Sequence, residues 1–167
     1  MNPSVWTDQR LLGAYRFFRY RKLLKQYDAF EDEPFSEFYE ILDTIFPNAK
    51  FILTVRDEQR WIESCKKHFG SYQGVHSRRP EKLRKRDKIF HHIKYGEGCP
   101  MKGEAIWRER YRIHNHRVTE YFEERPNKLL VLDITRHKAP WNALCSFLKM
   151  EIPHEPFPHL NQNPSSE

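Results

Sequence analysis

The sequence predicts an α/β fold with helices on both faces of a parallel sheet, three layers in all. Three observations carry that prediction. Two short runs, Phe51 to Val55 and Leu129 to Leu132, are apolar without alternation, as in strands covered on both faces. Segments whose apolar residues recur at helical spacing flank each run. The resulting order, helix–strand–helix twice over, is that of layered α/β domains.

Each element has its own signal. The first ten residues read as a loose tail, and Leu11 to Gln26 reads as a helix with a basic face. Tyr27 to Phe30 is short and reads as a strand or a strand remnant. Glu31, Asp32, Glu33 and Pro34 then suit a helix start, because proline tolerates the first turn and acidic groups oppose the helix dipole. Phe35, Phe38, Tyr39, Leu42, Ile45 and Phe46 keep helical spacing, and Pro47-Asn48 ends that helix. Asp57 caps the helix after the first strand, whose stripe is Trp61, Ile62, Cys65 and Phe69. Trp107, Tyr111, His114, Val118, Tyr121 and Phe122 mark a long helix. Arg125 to Asn127 is a turn, Trp141 to Leu148 a last short helix, and the proline-rich end is extended.

At 167 residues one domain is expected. Twelve Phe, eight Tyr and four Trp favour a packed core over disorder. No apolar run approaches the roughly 20 residues of a membrane helix. The start, MNPSVWTDQR, has no signal-peptide pattern. Cys65, Cys99 and Cys145 are odd in number and widely spaced, so neither a metal site nor a disulfide framework is expected. Free thiols and a cytoplasmic setting follow as the default.

The net charge is +6 and is concentrated. Between Arg78 and Lys94, eight basic residues face Glu81 and Asp87, a net charge equal to that of the whole chain. An acidic partner there is one reading, and a solvated basic surface is the other. Phe90 and Tyr95 are the only aromatics close to the cluster, which disfavours single-stranded nucleic acid, whose bases need stacking platforms.

In layered α/β folds ligands sit at the carboxyl ends of strands. Two such ends matter: Arg56 with Asp57, and Asp133 with Thr135. A strand ending in arginine and turning into a helix offers a guanidinium fork and a helix N-terminus to a phosphate. Ser64, eight positions after Arg56, adds a hydroxyl donor. An ordinary ion pair between Arg56 and Asp57, with Ser64 a plain surface serine, fits the spacing as well.

The stretch KFILTVRDEQRWIESCKKH resembles the half-site with which sulfotransferases hold the 3′-phosphate of 3′-phosphoadenosine 5′-phosphosulfate (PAPS). WRERYRIHNHRVTEYF, NKLLVLDIT and the closing W-x-x-L-C-x-F-L…P-x-x-P-F-P-H-x-N resemble single-domain sulfotransferases of the phosphate-loop superfamily, the likeness running from Tyr27 to Asn161. The resemblance implies a phosphate-loop NTPase-like sheet and a sulfotransferase-like domain over 27–161, between a 1–26 tail with its basic helix and a 162–167 tail. It implies PAPS, or its product 3′-phosphoadenosine 5′-phosphate (PAP), bound by Arg56 and Ser64. It further implies sulfuryl transfer to a hydroxyl or amine, with no metal.

Such transfer needs a base within reach of the acceptor. Asp32 is the candidate, and an N-terminal helix carboxylate is the competing role. His114 and His116 are alternatives, His114 also fitting a packed core position. His159 belongs to the family-like ending. The family's glycine-rich loop, broadly G-x-x-[RK]-[ST]-G-T-[ST], binds the 5′-phosphosulfate. None of Gly13, Gly70, Gly74, Gly96, Gly98 and Gly103 sits in such a loop. The sequence therefore predicts a first strand missing or replaced, two buried-type strands left without a neighbour, and catalysis only if the loop is supplied. The alternative is a non-catalytic scaffold binding an acidic partner through 78–94. A nucleotide hydrolase is disfavoured because no Walker-type lysine loop exists.

Overall fold

The computed structural model describes residues 19–32, 35–69, 103–133, 135–136 and 140–158. After a helical stretch at 19–24 and a single 3₁₀ turn, Phe35–Glu37, the elements are α1 (Tyr39–Ile45), β1 (Phe51–Val55), α2 (Glu58–Phe69), α3 (Glu104–Tyr121), β2 (Leu129–Asp133) and α4 (Pro140–Leu148). The protein is α/β, with several helices around a small sheet. Its two described strands pair in parallel, Phe51 opposite Leu129 through Val55 opposite Asp133.

Register assigns the faces. Paired residues of parallel strands point to the same side, and neighbours along a strand alternate. Phe51, Leu53, Val55 and Leu129 thus share one face, where they meet Tyr39, Val118, Tyr121 and Phe122 of α1, α3 and the residue after it. The Phe51 and Phe122 rings lie 4.8 Å apart. The other face belongs to α4, which packs on β2. Leu130 there lines a shallow cavity with Ala143 and Phe147.

This coverage is staggered, which corrects the expectation of strands buried on both faces. Leu53 is 8% exposed, but its neighbour Ile52 is 42% exposed. On β2 the pattern inverts, with Leu132 at 2% and Val131 at 44%. Each strand is covered mainly on one side because α3 lies over β1 and α4 over β2. The expectation of two strands lacking a neighbour also needs correction, since β1 and β2 take each other as partners.

Local chemistry explains the boundaries. The Asp57 carboxylate accepts the Arg60 N–H at 3.1 Å and its carbonyl accepts the Trp61 N–H at 2.8 Å, so α2 starts where a capping residue was expected. The helix expected from Pro34 onward is interrupted. Phe38 turns inward with Leu42 into a cluster with Leu24, Phe35 and Phe46, and α1 begins only at Tyr39. Residues 27–30 are irregular instead of a strand. Phe30 stacks on Phe35 at 4.6 Å, so this segment is held by ring packing. α4 ends with Met150 N–H donating to the Cys145 carbonyl at 2.9 Å and Lys149 at φ 58°, a Schellman ending without the usual glycine.

α2 and α3 join through Ile62, Cys65 and Trp107, with Ile62 and Trp107 fully buried. Ion pairs reinforce the seam. Glu58 accepts from Arg108 at 3.0 Å and from Arg112, and Glu104 pairs with Lys66 and with Arg108 at 2.6 Å. The Arg112 hydrogen bond, then the Arg108 bond, hold the Glu58 carboxyl below its ordinary pKa.

A second anchor is buried. Asp43, 6% exposed, accepts from Lys128, from Arg125 and from Tyr121 Oη, the last at 3.1 Å. Burial pushes its pKa up, but the bonds from Lys128, Arg125 and Tyr121 outweigh burial, and the carboxyl stays below its ordinary value. Among the described residues no helix is long and apolar enough to cross a membrane, and no cluster of metal-ligating side chains occurs.

Candidate functional site

The carboxyl edge of the sheet is built from the two strand ends. β1 stops at Val55 and Arg56 leaves the sheet before α2 begins. Tyr111 of α3 takes hold of its backbone. The Arg56 N–H donates to Tyr111 Oη at 3.0 Å, and the phenol donates to the Arg56 carbonyl at 2.8 Å. These bonds satisfy peptide groups that lie beyond the strand ladder. The Tyr111 ring stacks on Trp61 of α2, with centroids 4.4 Å apart and planes at 21°. Arg56 is half-buried, and its Nε is buried without a hydrogen-bond partner among the described residues. An unpaired buried donor is unfavourable by about 1–3 kcal/mol, more when charged.

Asp57 faces two ways. One carboxylate oxygen caps α2 and the other lies 3.6 Å from Arg136. Arg136 is also 3.6 Å from the Asp133 carboxylate, so it links the ends of β1 and β2. Asp133 Oδ1 accepts from the Thr135 hydroxyl at 2.6 Å, the Thr135 N–H at 2.9 Å and the Arg136 N–H at 3.2 Å. The Thr135 hydroxyl does most to hold this carboxyl below its ordinary pKa; burial opposes it, and the Thr135 and Arg136 N–H groups add smaller lowering effects. An ionised carboxylate so committed shapes a turn and is a poor proton acceptor.

The expected binding residues Arg56 and Ser64 belong to one strand–helix unit. Ser64 is half-buried on α2. It lies seven residues after Asp57, two turns along and on the same helix face, or about 10 Å along the axis. Asp32 is exposed in the bend before the 3₁₀ turn, at φ 61°. Its carbonyl accepts the Ser36 N–H at 3.2 Å. Among the described residues no hydrogen bond or ion pair joins its side chain to Arg56 or Ser64. His114 is half-buried, 3.9 Å from Glu37 and edge-on to the Tyr39 ring. His116 is exposed beside Glu120. His159 and the basic segment Arg78 to Lys94 lie outside the described residues.

A cavity of about 570 Å³ opens at the opposite end of the sheet, lined by Lys50, Asn127, Ser146 and Lys149 among others. It is not favoured as the site. Lys50 and Asn127 precede their strands, whereas open α/β sheets bind ligands beyond the carboxyl ends. Its lining also has no carboxylate, histidine or arginine. Tyr111 was not singled out by sequence reasoning. Periodicity assigns it to the apolar stripe of α3, and nothing local marks its hydroxyl as the partner of a residue 55 positions earlier.

A parallel strand pair, an arginine at a strand end and a capped helix behind it make up this α/β carboxyl edge. The family model for the sulfotransferase domain matches residues 7–166, and the chain belongs to that family. It is also similar to the Ava biosynthesis cluster protein M of Aspergillus versicolor, with 28% identity over 151 residues. That alignment covers 83% of this chain and 56% of the relative, so the chain spans little more than half the length of that protein.

Proposed function

We propose that the carboxyl edge binds the 3′-phosphate of PAP or PAPS through Arg56 and Ser64, as part of a sulfotransferase acting on a hydroxyl or amine. The observation that carries this reading is Arg56 itself. It closes β1, its backbone is fixed, and its buried Nε has no partner among the described residues. A phosphate monoester oxygen is the acceptor such a guanidinium suits. The N-terminus of α2 adds a favourable dipole. Bound PAPS would supply the activated sulfuryl group. Family membership supports the nucleotide as co-substrate and a phosphate-loop-like sheet.

The residues fit one end of that nucleotide. Arg56 and Ser64 can hold and orient a 3′-phosphate. Asp32 is the proposed proton acceptor for the acceptor hydroxyl or amine, being an exposed carboxylate. The sequence contains no glycine-rich loop for the 5′-phosphosulfate. Transfer by this chain therefore depends on that loop being provided.

The test is thermal denaturation of the full chain with PAP. PAP should raise Tm, and Arg56→Ala should abolish the rise while leaving the ligand-free Tm within a few degrees. Absence of a shift at millimolar PAP would reject the reading.

A further inference from the structure

We infer that Tyr111 is a positioning residue for anion recognition: its hydroxyl clamps the Arg56 backbone and so aims the guanidinium at the 3′-phosphate. The inference rests on the nucleotide reading above and goes beyond it, since Tyr111 touches no ligand in that reading.

The geometry argues for a positioning role. A residue just past a strand end has no ladder partner for its peptide groups and belongs to a connecting segment, where the backbone is generally more mobile. Tyr111 Oη makes both bonds that a neighbouring strand would make, accepting from Arg56 N–H at 3.0 Å and donating to Arg56 C=O at 2.8 Å. A backbone held at both its donor and its acceptor fixes the Cα–Cβ direction of Arg56, which is the root of the guanidinium arm. The clamp is itself braced, because the Tyr111 ring stacks on Trp61 at 4.4 Å, five residues beyond Arg56. The tyrosine thus couples the strand end to α2, the helix that carries Ser64. One phenol therefore touches both the Arg56 backbone and the helix on which Ser64 lies.

A pre-aimed guanidinium loses less freedom on binding, and bidentate anion recognition is sensitive to direction. Loss of the clamp should therefore weaken recognition of the 3′-phosphate specifically. It should not weaken contacts to the rest of the nucleotide. Tyr111→Phe removes the hydroxyl and keeps the stacked ring, so it separates the two roles.

The experiment is calorimetric titration of wild type and Tyr111→Phe with PAP and with adenosine 5′-phosphate, which lacks the 3′-phosphate. Wild type should prefer PAP, and Tyr111→Phe should reduce that preference about tenfold, the scale of one or two lost hydrogen bonds. Placing 4-aminophenylalanine at position 111 restores a donor and should recover most of the preference. An unchanged preference in Tyr111→Phe, or an equal loss for both nucleotides, would overturn the inference while leaving the nucleotide reading in place. A wild type without preference would remove both. Should Tyr111→Phe not fold, amide exchange at Arg56 of the wild type decides: PAP should slow it and adenosine 5′-phosphate should not, and equal rates would overturn the clamp.

Discussion

Lys128 donates to the buried carboxylate of Asp43, 85 residues earlier in the chain. The carbonyl of Lys128 accepts the Phe51 N–H at 2.8 Å, the bond at which β1 and β2 begin to pair. One lysine therefore connects α1 to the start of the sheet. Asp43 holds Arg125 in the same way, and Arg125 in turn lies over the Tyr121 and Phe122 rings at 4.7 and 5.0 Å.

Asp43→Asn should lower stability at neutral pH by about 2 kcal/mol, less than for a fully buried pair because Arg125 and Lys128 retain access to water. The sign of the pH effect follows from the lowered carboxyl. Its folded-state pKa lies below the ordinary 3.8, so its contribution is complete above that value and is lost as pH falls through the folded value. Urea midpoints measured at pH 7 and pH 3 should converge between wild type and variant. A constant gap across that range would remove Asp43 as the acid-sensitive anchor.

Neighbouring strand residues should respond unequally. Leu53→Ala should cost about 2–4 kcal/mol, and Ile52→Ala about 1 kcal/mol or less, because only the first opens a hole in the core. Equal losses in chemical denaturation would mean that β1 is covered on both sides in solution.

Lys149 sits in the left-handed region at φ 58°. Glycine pays no Cβ penalty there, so Lys149→Gly should stabilise by about 0.5–1 kcal/mol. A fall in Tm would show that the Lys149 side chain contributes more than its backbone strain removes.

Arg56 and Ser64 should differ in weight. Arg56→Ala should weaken PAP binding about 100-fold and Ser64→Ala about tenfold or less, the difference between a charged fork and one neutral hydrogen bond. Affinities measured at two salt concentrations should lose their salt dependence mainly in the arginine variant.

Asp32→Asn should keep the PAP-induced rise in Tm. Where the glycine-rich loop is supplied and sulfuryl transfer is measurable, it should slow transfer at least about 100-fold, the usual scale for a general base. Unaltered turnover would leave Asp32 as a turn residue only.

Much of the fold was legible because its signals are local. The apolar run ending at Val55 gave β1, and Asp57 gave the start of α2, since a capping carboxylate acts within three residues. The apolar run Leu129 to Leu132 gave β2 for the same reason, one residue short of its end at Asp133. Tyr27 to Phe30 misled, because aromatic residues that favour strands also stack, and here Phe30 stacks on Phe35. The break at Phe38 was hidden as well. A continuous apolar period cannot reveal that a ring turns into a tertiary cluster with Leu42.

Of the candidate site, the sequence by itself determined the chemical inventory and its order: an arginine where β1 stops, a cap at Asp57, a serine two turns on, and an aspartate closing β2. Those are properties of short segments, set by spacing and local backbone preference. Only the tertiary structure decided that β1 and β2 lie side by side, that Arg136 links Asp57 to Asp133, and that Tyr111 holds the Arg56 backbone. Each of the last two is a contact a few ångströms long between different elements. Such contacts depend on how helices pack over a sheet, which residue spacing along one segment does not encode.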